Sequence, residues 1–333
     1  MALAITKGVP DNHCAQTREP MKAAPAARVL AVVVAYLPEP IRFRALLNTL
    51  LCQVDTVLVV DNTPATHLDA ERVVMEMPEH GTALRLVRCG ENMGIAAALN
   101  EGIDAARIEG YELVLLNDQD SLPAEDMVER LLATLDALTA EGARVGSVSP
   151  AYVDEVTGDW FGFQVMRPGK WFYSVVAAPL ADPWIEVLTS ITSGTLVPTQ
   201  VFDVVGVMRE DYFIDDVDVE WCLRARARGY QLFGTVRAVM RHRLGEDSFP
   251  LWFLRWRGFS SYRPLRLYYR FRNFIAVCGE DHAPLAWKVR ASWYWLGNIY
   301  AYLLFSPNRL ANARYIAHGL YDGFRGRMGR YDG

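Results

Sequence analysis

The apolar patterning of the chain begins at "RVLAVVVAY" (28–36), a β-branched run without alternation that closes in "LPEP". A continuous apolar run of this kind suits a strand buried on both faces. "TVLVVDN" (56–62), "ALRLVRC" (83–89) and "YELVLLNDQD" (111–120) repeat it. Between them lie segments of helical spacing: an amphipathic stretch at 41–51, and "GIAAALNEGIDAARIEG" (94–110), entered at Gly94 and stopped at Gly110. Strands alternating with helices predict crossover units and a mostly parallel sheet, with a ligand crevice beyond the carboxyl ends of the strands. Asp61, Asn92 and Asp118 to Ser121 fall at those ends.

Beyond Pro150 the alternation weakens. "AYVDEVTGDWFGFQVMRPGKWFYSVVAAP" predicts antiparallel hairpins with glycine turns, and "ITSGTLVPTQVFDVVG" a strand and a short helix. "VDVEWCLRARAR" (217–228) is helical and stops at Gly229, "QLFGTVRAVMRH" returns to strand, and the rest reads as largely helical. The predicted fold class is α/β, a mixed and mostly parallel sheet with a helical C-terminal extension. Its parts are a loose tail (1–27), a first sheet unit (28–150), a second unit (151–245) and the extension (246–333).

Composition adds an asymmetry. The 333 residues are 51% hydrophobic and 22% charged, which fits an ordered chain, and the net charge of −5 conceals two opposed halves. Residues 1–220 carry 33 acids against 15 bases, whereas 221–333 carry 6 acids against 19 bases and hold 24 of the 38 aromatic residues. Basic, aromatic surfaces suit anionic headgroups or phosphates, and the acidic front half disfavours nucleic acid. Five cysteines without metal spacing point to a reducing compartment, and the N-terminal segment lacks an apolar stretch long enough for a signal peptide.

The candidate chemistry lies in acids. In "LLNDQDS", Asp118 and Asp120 sit where a strand gives way to a loop, a place for a hard divalent cation with oxygen ligands; the alternative is helix capping by Ser121 and Glu125. Asp61 can accept hydrogen bonds from a nucleobase. Gly94 with Ala96 to Ala98 would let a ligand approach the backbone near a helix N-terminus. Asp215, Asp216, Asp218 and Glu220 follow the apolar "YFI", where desolvation can raise a carboxylate into the range of a general base. His242 stands at a strand end and can complete a metal site.

In order along residues 28 to 275, "VVVAYLP", "VVDNT", "ENMGIAAALNEGI", "LLNDQDS", "ITSGTLVP", "FIDDVDVEWCLRARARGY", "RHRLGE" and "YYRFRN" resemble the inverting family-2 glycosyltransferases of GT-A type, and among them the bacterial rhamnosyltransferases. The resemblance implies a nucleotide-sugar-binding part (28–150) and an acceptor-binding and catalytic part (151–245). It implies that Ala35 and Asp61 contact the base, that Asn92, Gly94 and Gln119 line the donor site, and that Asp118 approaches the ribose. Asp120, with Mg²⁺ or Mn²⁺, would meet the diphosphate, and His242 matches a metal ligand of some relatives. Asp218 is then the general base, Glu220 orients the acceptor, and Arg224 and Arg226 face the diphosphate, with surface pairing the alternative for Arg226. Ser193, Gly194 and Thr195 would form the acceptor wall. The implied reaction moves L-rhamnose from dTDP-L-rhamnose to a lipid-linked glycan or glycolipid.

"PLAWKVRASWYWLGNIYAYLLFSP" (284–307) has no charge from Ala291 to Asn308 but carries belt aromatics, an interrupted core at Gly297 and Asn298, and a basic flank at Lys288 and Arg290. It predicts an interfacial helix that holds the protein peripherally at the cytoplasmic face of the inner membrane; packing on the domain or in a homodimer is the alternative. Two other functions compete. A nucleotidylyltransferase needs a glycine-rich basic loop after the first strand, which "AYLPEPIRF" lacks. A catalytically silent sugar-nucleotide-binding scaffold has no need of Asp218.

Overall fold

The computed structural model describes residues 27–155, 157–166, 173–176, 182–242, 248–253 and 255–332, with backbone alone for 248–260. The N-terminal tail, Cys14, parts of the predicted hairpins and most of "RHRLGE" lie outside the described residues. The elements run β1 (Val29–Ala35), α1 (Pro40–Leu51), β2 (Thr56–Asp61), α2 (Asp69–Met75), β3 (Leu84–Arg88), α3 (Ile95–Ile108), β4 (Leu113–Asp118), β5 (Ser121–Pro123) and α4 (Met127–Ala140). They continue as β6 (Val145–Asp154), β7 (Phe163–Val165), β8 (Ser174–Val176), β9 (Trp184–Val187), β10 (Thr195–Pro198), α5 (Thr199–Val205), α6 (Val217–Ala227) and β11 (Gln231–His242). The C-terminal extension holds β12 (Ser248–Phe253), β13 (Arg255–Ser260), α7 (Pro264–Gly279), α8 (Leu285–Leu304) and α9 (Arg309–Arg325).

The main sheet has the order β3-β2-β1-β4-β10-β6-β11-β5, with β9 also on β11. Its first four strands are parallel, as the unbroken apolar runs require, whereas β10 runs antiparallel to both β4 and β6. Each strand of the parallel part feeds two cores. In β1, Leu30, Val32 and Val34 face the layer that holds α3, α5 and α6, while Ala31, Val33 and Ala35 face α1 and α4. α1 starts where the sequence provides a cap: Glu39 accepts from the Ile41 and Arg42 amides, and Pro40 occupies the first turn.

Two segments depart from the sequence reading. The alternative reading of "SLP" as a cap on the following helix does not hold, since it is β5, an edge strand antiparallel to the end of β11. The hydrogen bonds of a sheet edge outweigh a single side-chain cap. The extension was predicted to be largely helical, yet it opens with the hairpin β12–β13. Beyond that hairpin it is helical, and α9 lies directly on the α7 backbone. A Cβ at Gly319 would stand 2.4 Å from the Tyr268 carbonyl oxygen, and one at Gly323 2.8 Å from that of Arg272.

Candidate active site

The sheet register gathers the predicted donor-side residues. Ala35 is paired with Asp61, and Val34 with Asp118, at the point where the strand order turns from β2-β1 to β4. Such a switch point opens a crevice at the carboxyl ends. Asp61 is 1% exposed; Oδ1 accepts from the Thr63 amide at 3.1 Å, while Oδ2 has no hydrogen-bond donor and lies 3.5 Å from Arg88 Nε. A buried acceptor without a donor at a crevice mouth is an opening for a nucleobase N–H. Asn62 ties this loop to the next one, since its Nδ2 donates to Asn92 Oδ1 and its Oδ1 accepts from the Met93 amide. Asn92 Oδ1 also accepts from the Gly94 amide. The Ala35 carbonyl is taken by the Asn62 amide.

Gln119 clamps the acidic loop to β1. Its Oε1 accepts from the Tyr36 amide at 2.6 Å and its Nε2 donates to the Tyr36 carbonyl at 3.0 Å. Arg42 adds a second clamp, donating from Nε to the Asp120 carbonyl while its two terminal nitrogens hold Glu155. The β5–β11 register sets Ser121 opposite His242, and Ser121 Oγ lies 2.8 Å from His242 Nδ1. His242 thus stands beside the residue that follows Asp120. With Nδ1 engaged, metal ligation by His242 goes through Nε2. No three His, Cys, Asp or Glu side chains among the described residues form a ready metal cage. A site for Mg²⁺ or Mn²⁺ needs fewer protein ligands than that, because these ions keep waters and take substrate phosphates, and Asp120 and His242 offer the oxygen and nitrogen donors.

The second acidic cluster sits on a strained loop. Phe213, Asp215 and Asp216 all have positive φ (64°, 64° and 57°), a region that non-glycine residues seldom adopt. Phe213 makes a γ-turn in which the Ile214 amide donates to the Tyr212 carbonyl at 2.8 Å. α7 holds this shape. Asn273 Nδ2 donates to the carbonyls of Tyr212, Ile214 and Asp215, and Arg272 Nη2 to those of Asp211 and Tyr212. Both side chains are fully buried, and the Arg272 guanidinium also lies over the rings of Tyr268 and Tyr269. From the other side, the Ile95 amide donates to the Phe213 carbonyl at 2.7 Å.

The two acidic groups lie within electrostatic reach of each other. Burial pushes Asp118 up to about 7, and the charges of Asp120 and Asp218 push the same way, against Arg266. Asp218, in the first turn of α6, is pushed up to about 6 by burial, with its own helix amides pulling it down. Asp216, which starts that helix, is raised to about 7 by burial against the pull of Arg270. A carboxylate near 6 is ionised at neutral pH and still basic enough to take a hydroxyl proton. A concavity of about 770 Å³ lies elsewhere, lined by Asp104, Arg107, Gly110, Glu112 and Thr199, and contains none of these acids.

Residues 31–164 match the sequence family described as Glycosyl transferase family 2. The matched segment runs from β1 into β7, less than half of the chain. Over 303 residues it is 28% identical to the dTDP-rhamnosyl transferase RfbF of Shigella flexneri, covering 91% of this chain and 97% of that one. The crystal structure of GalNAc-T7 with UDP, GalNAc and Mn²⁺ superposes with a TM-score of 0.59 at 10% identity. That match covers 91% of this chain and 57% of the other, so this chain spans little more than half of its length. The fold is therefore GT-A, in the mixed sheet and C-terminal helices described above.

Within this glycosyltransferase several predicted site residues turn inward. Gly94 serves packing between protein segments: a Cβ there would stand 2.6 Å from the Phe213 carbonyl oxygen. Ser193, Gly194 and Thr195 are buried. Ser193 Oγ accepts from the Asp118 amide, a Cβ on Gly194 would meet Met240 and Pro150, and Thr195 Oγ1 donates to the Ile191 carbonyl. Ser193 supports Asp118 from below, and Thr195 borders a small cavity with Asp218 together with Ser190, Ile191 and Thr192. Glu220, expected at the acceptor, is 0% exposed and held by Arg224 at 2.8 Å, with His282 Nε2 at 3.2 Å. Arg224 is spent on Glu220 and on the Val205 and Val207 carbonyls, which removes it from the diphosphate. Arg226 pairs with Glu186. The acceptor orienter and the diphosphate cation of the sequence reading are thus one buried pair. A charge pair at i and i+4 signals that outcome. Sequence reading did not assign Arg42, Arg272 or Asn273, although the last two lie in "YYRFRN".

Proposed function

We propose that the chain is an inverting rhamnosyltransferase that uses dTDP-L-rhamnose and a hydroxyl of a lipid-linked glycan or glycolipid. The observation that carries this reading is the electrostatic contact of Asp118 with both Asp120 and Asp218, which brings the two acidic segments near each other. The curated relative, named as a dTDP-rhamnosyl transferase, supports the choice of donor. Asp61 Oδ2 accepts from the base, and the loops tied by Asn62 and Asn92 close over the nucleoside. Asp218 takes the proton of the acceptor hydroxyl, and the strained loop held by Asn273 fixes the carboxylate at the attack face. Asp120 and His242 are the residues that would hold Mg²⁺ or Mn²⁺, and when bound the cation would supply positive charge to the departing diphosphate.

The lipid acceptor implies work at a membrane surface. No helix among the described residues is long and apolar enough to cross a membrane. α8 instead packs Trp287, Ala291, Trp295 and Tyr302 inward and leaves Leu285, Val289, Trp293, Leu296, Tyr300 and Leu304 exposed. Their spacing puts them on one face, which supports peripheral docking at the cytoplasmic side of the inner membrane. Lys288 and Arg290 contribute less than the sequence suggested, since Lys288 donates to the Glu280 carbonyl and Arg290 lies over Tyr173. A homodimer through this face is the competing use of it. The test of the function is a panel of nucleotide sugars with Mg²⁺ or Mn²⁺, read as protection against unfolding and then as turnover. dTDP-L-rhamnose should protect most, and protection by no sugar nucleotide would refute the reading.

A further inference from the structure

With Arg224 spent inside the fold, the guanidiniums that reach the acid cluster come from α7. Arg266 donates from Nε and Nη2 to Asp215 at 3.0 Å, and Arg270 Nη1 lies 3.5 Å from the same carboxylate. The two differ in freedom. The Arg270 side chain is 15% exposed, and its guanidinium lies over Tyr262 at 4.4 Å and over Trp295 at 5.0 Å, which fixes it. Arg266 is 47% exposed, and its charge also acts on Asp118 across the cleft. It therefore spans the two acidic segments with one face open to solvent.

The local charge is out of balance. Asp215 takes both guanidiniums while Asp216 lies in the field of Arg270 and Asp118 in that of Arg266, and a leaving diphosphate brings more negative charge. A half-exposed ion pair is weakly held, whereas a guanidinium fork matches two phosphate oxygens and is strengthened where water is excluded. We infer that Arg266, on the glycosyltransferase reading above, is a diphosphate-binding residue that exchanges Asp215 for the β-phosphate of the nucleoside diphosphate, while Arg270 stays on Asp215. In the transfer, the acceptor oxygen bonds to the anomeric carbon and its proton passes to Asp218. The bond from that carbon to the diphosphate oxygen breaks with its electron pair on the oxygen, where Arg266 meets the charge.

The test is calorimetric titration of the full chain with dTDP and with dTMP, each with Mg²⁺, for wild type, Arg266→Gln and Arg266→Lys. Arg266→Gln should weaken dTDP about 10-fold or more and leave dTMP nearly unchanged, and Arg266→Lys should fall between, because it keeps charge but loses the fork. Equal loss for dTDP and dTMP marks a structural role and overturns the proposal, as does dTDP binding by Arg266→Gln at wild-type strength. If Arg266→Gln does not fold, Arg266→Lys decides by the same comparison. Wild type that does not bind dTDP refutes the donor reading itself, and this assignment with it.

Discussion

Gly94 and Phe213 are in backbone contact: a Cβ at 94 would stand 2.6 Å from the Phe213 carbonyl oxygen, which already accepts the Ile95 amide. The glycine that opens α3 thereby docks the loop that carries Asp215, Asp216 and Asp218. At φ 89° and ψ 160° its conformation is one that only glycine adopts readily. Gly94→Ala should destabilise the chain by about 3 kcal/mol and lower turnover further than its unfolding alone explains. Denaturant melts alongside initial rates check this.

Asn273 donates to three carbonyls of the same loop; Tyr212 keeps Arg272 and the Ile214 amide as donors, whereas the Ile214 and Asp215 carbonyls lose their side-chain donor without it. Asn273→Ala should cost about 3 kcal/mol and lower turnover more than dTDP affinity, because the donor side is clamped separately by Gln119 and Arg42. Unfolding curves and nucleotide titrations on one preparation separate the two effects.

Asp218 must be ionised to accept a proton, and burial places it at about 6. kcat/KM should therefore fall as the pH drops through about 6, roughly tenfold per unit. Asp218→Asn should lower turnover by about 10²-fold or more and keep dTDP binding. A pH–rate profile and a titration of the variant test both statements.

The same shift has a consequence for stability. Asp216 and Asp218 are acids with folded values raised to about 7 and 6 from the 3.8 of a free aspartate, so the folded state binds more protons than the unfolded state between those values. The stability of the ligand-free chain should fall as pH rises from about 4 to 7 on their account. Asp218→Asn should flatten that slope in a series of thermal melts.

Glu220 is buried with Arg224 and His282. Glu220→Ala should destabilise the fold by about 3 kcal/mol, because it strands a guanidinium, while KM for the acceptor changes little in the fraction that folds. A large rise in acceptor KM with unchanged stability would restore Glu220 to the acceptor site.

The exposed face of α8 supports one further expectation. Trp293→Ser with Leu296→Ser should weaken binding to anionic vesicles at least about tenfold and leave transfer to a soluble acceptor unaltered. Co-sedimentation with vesicles, and gel filtration to detect a dimer, distinguish the two uses of this surface.

The periodicity of the chain by itself determined the strands β1 to β4, the helices α1 and α3 between them and the carboxyl-end position of Asp61 and Asp118, but not α2. Those features follow from local burial patterns, with every residue of β1 and β2 enclosed. Only the tertiary structure decided where each acid points. Glu220 and Asp218 lie two residues apart on one helix, a separation that sends them to different faces, so one is locked against Arg224 while the other meets Asp118. Likewise "YYRFRN" is remote in sequence from "FIDDVD", and that Asn273 fixes the latter's backbone depends on how α7 packs. Side-chain direction, register and long-range packing are sums over the whole fold, and no window of the sequence contains them.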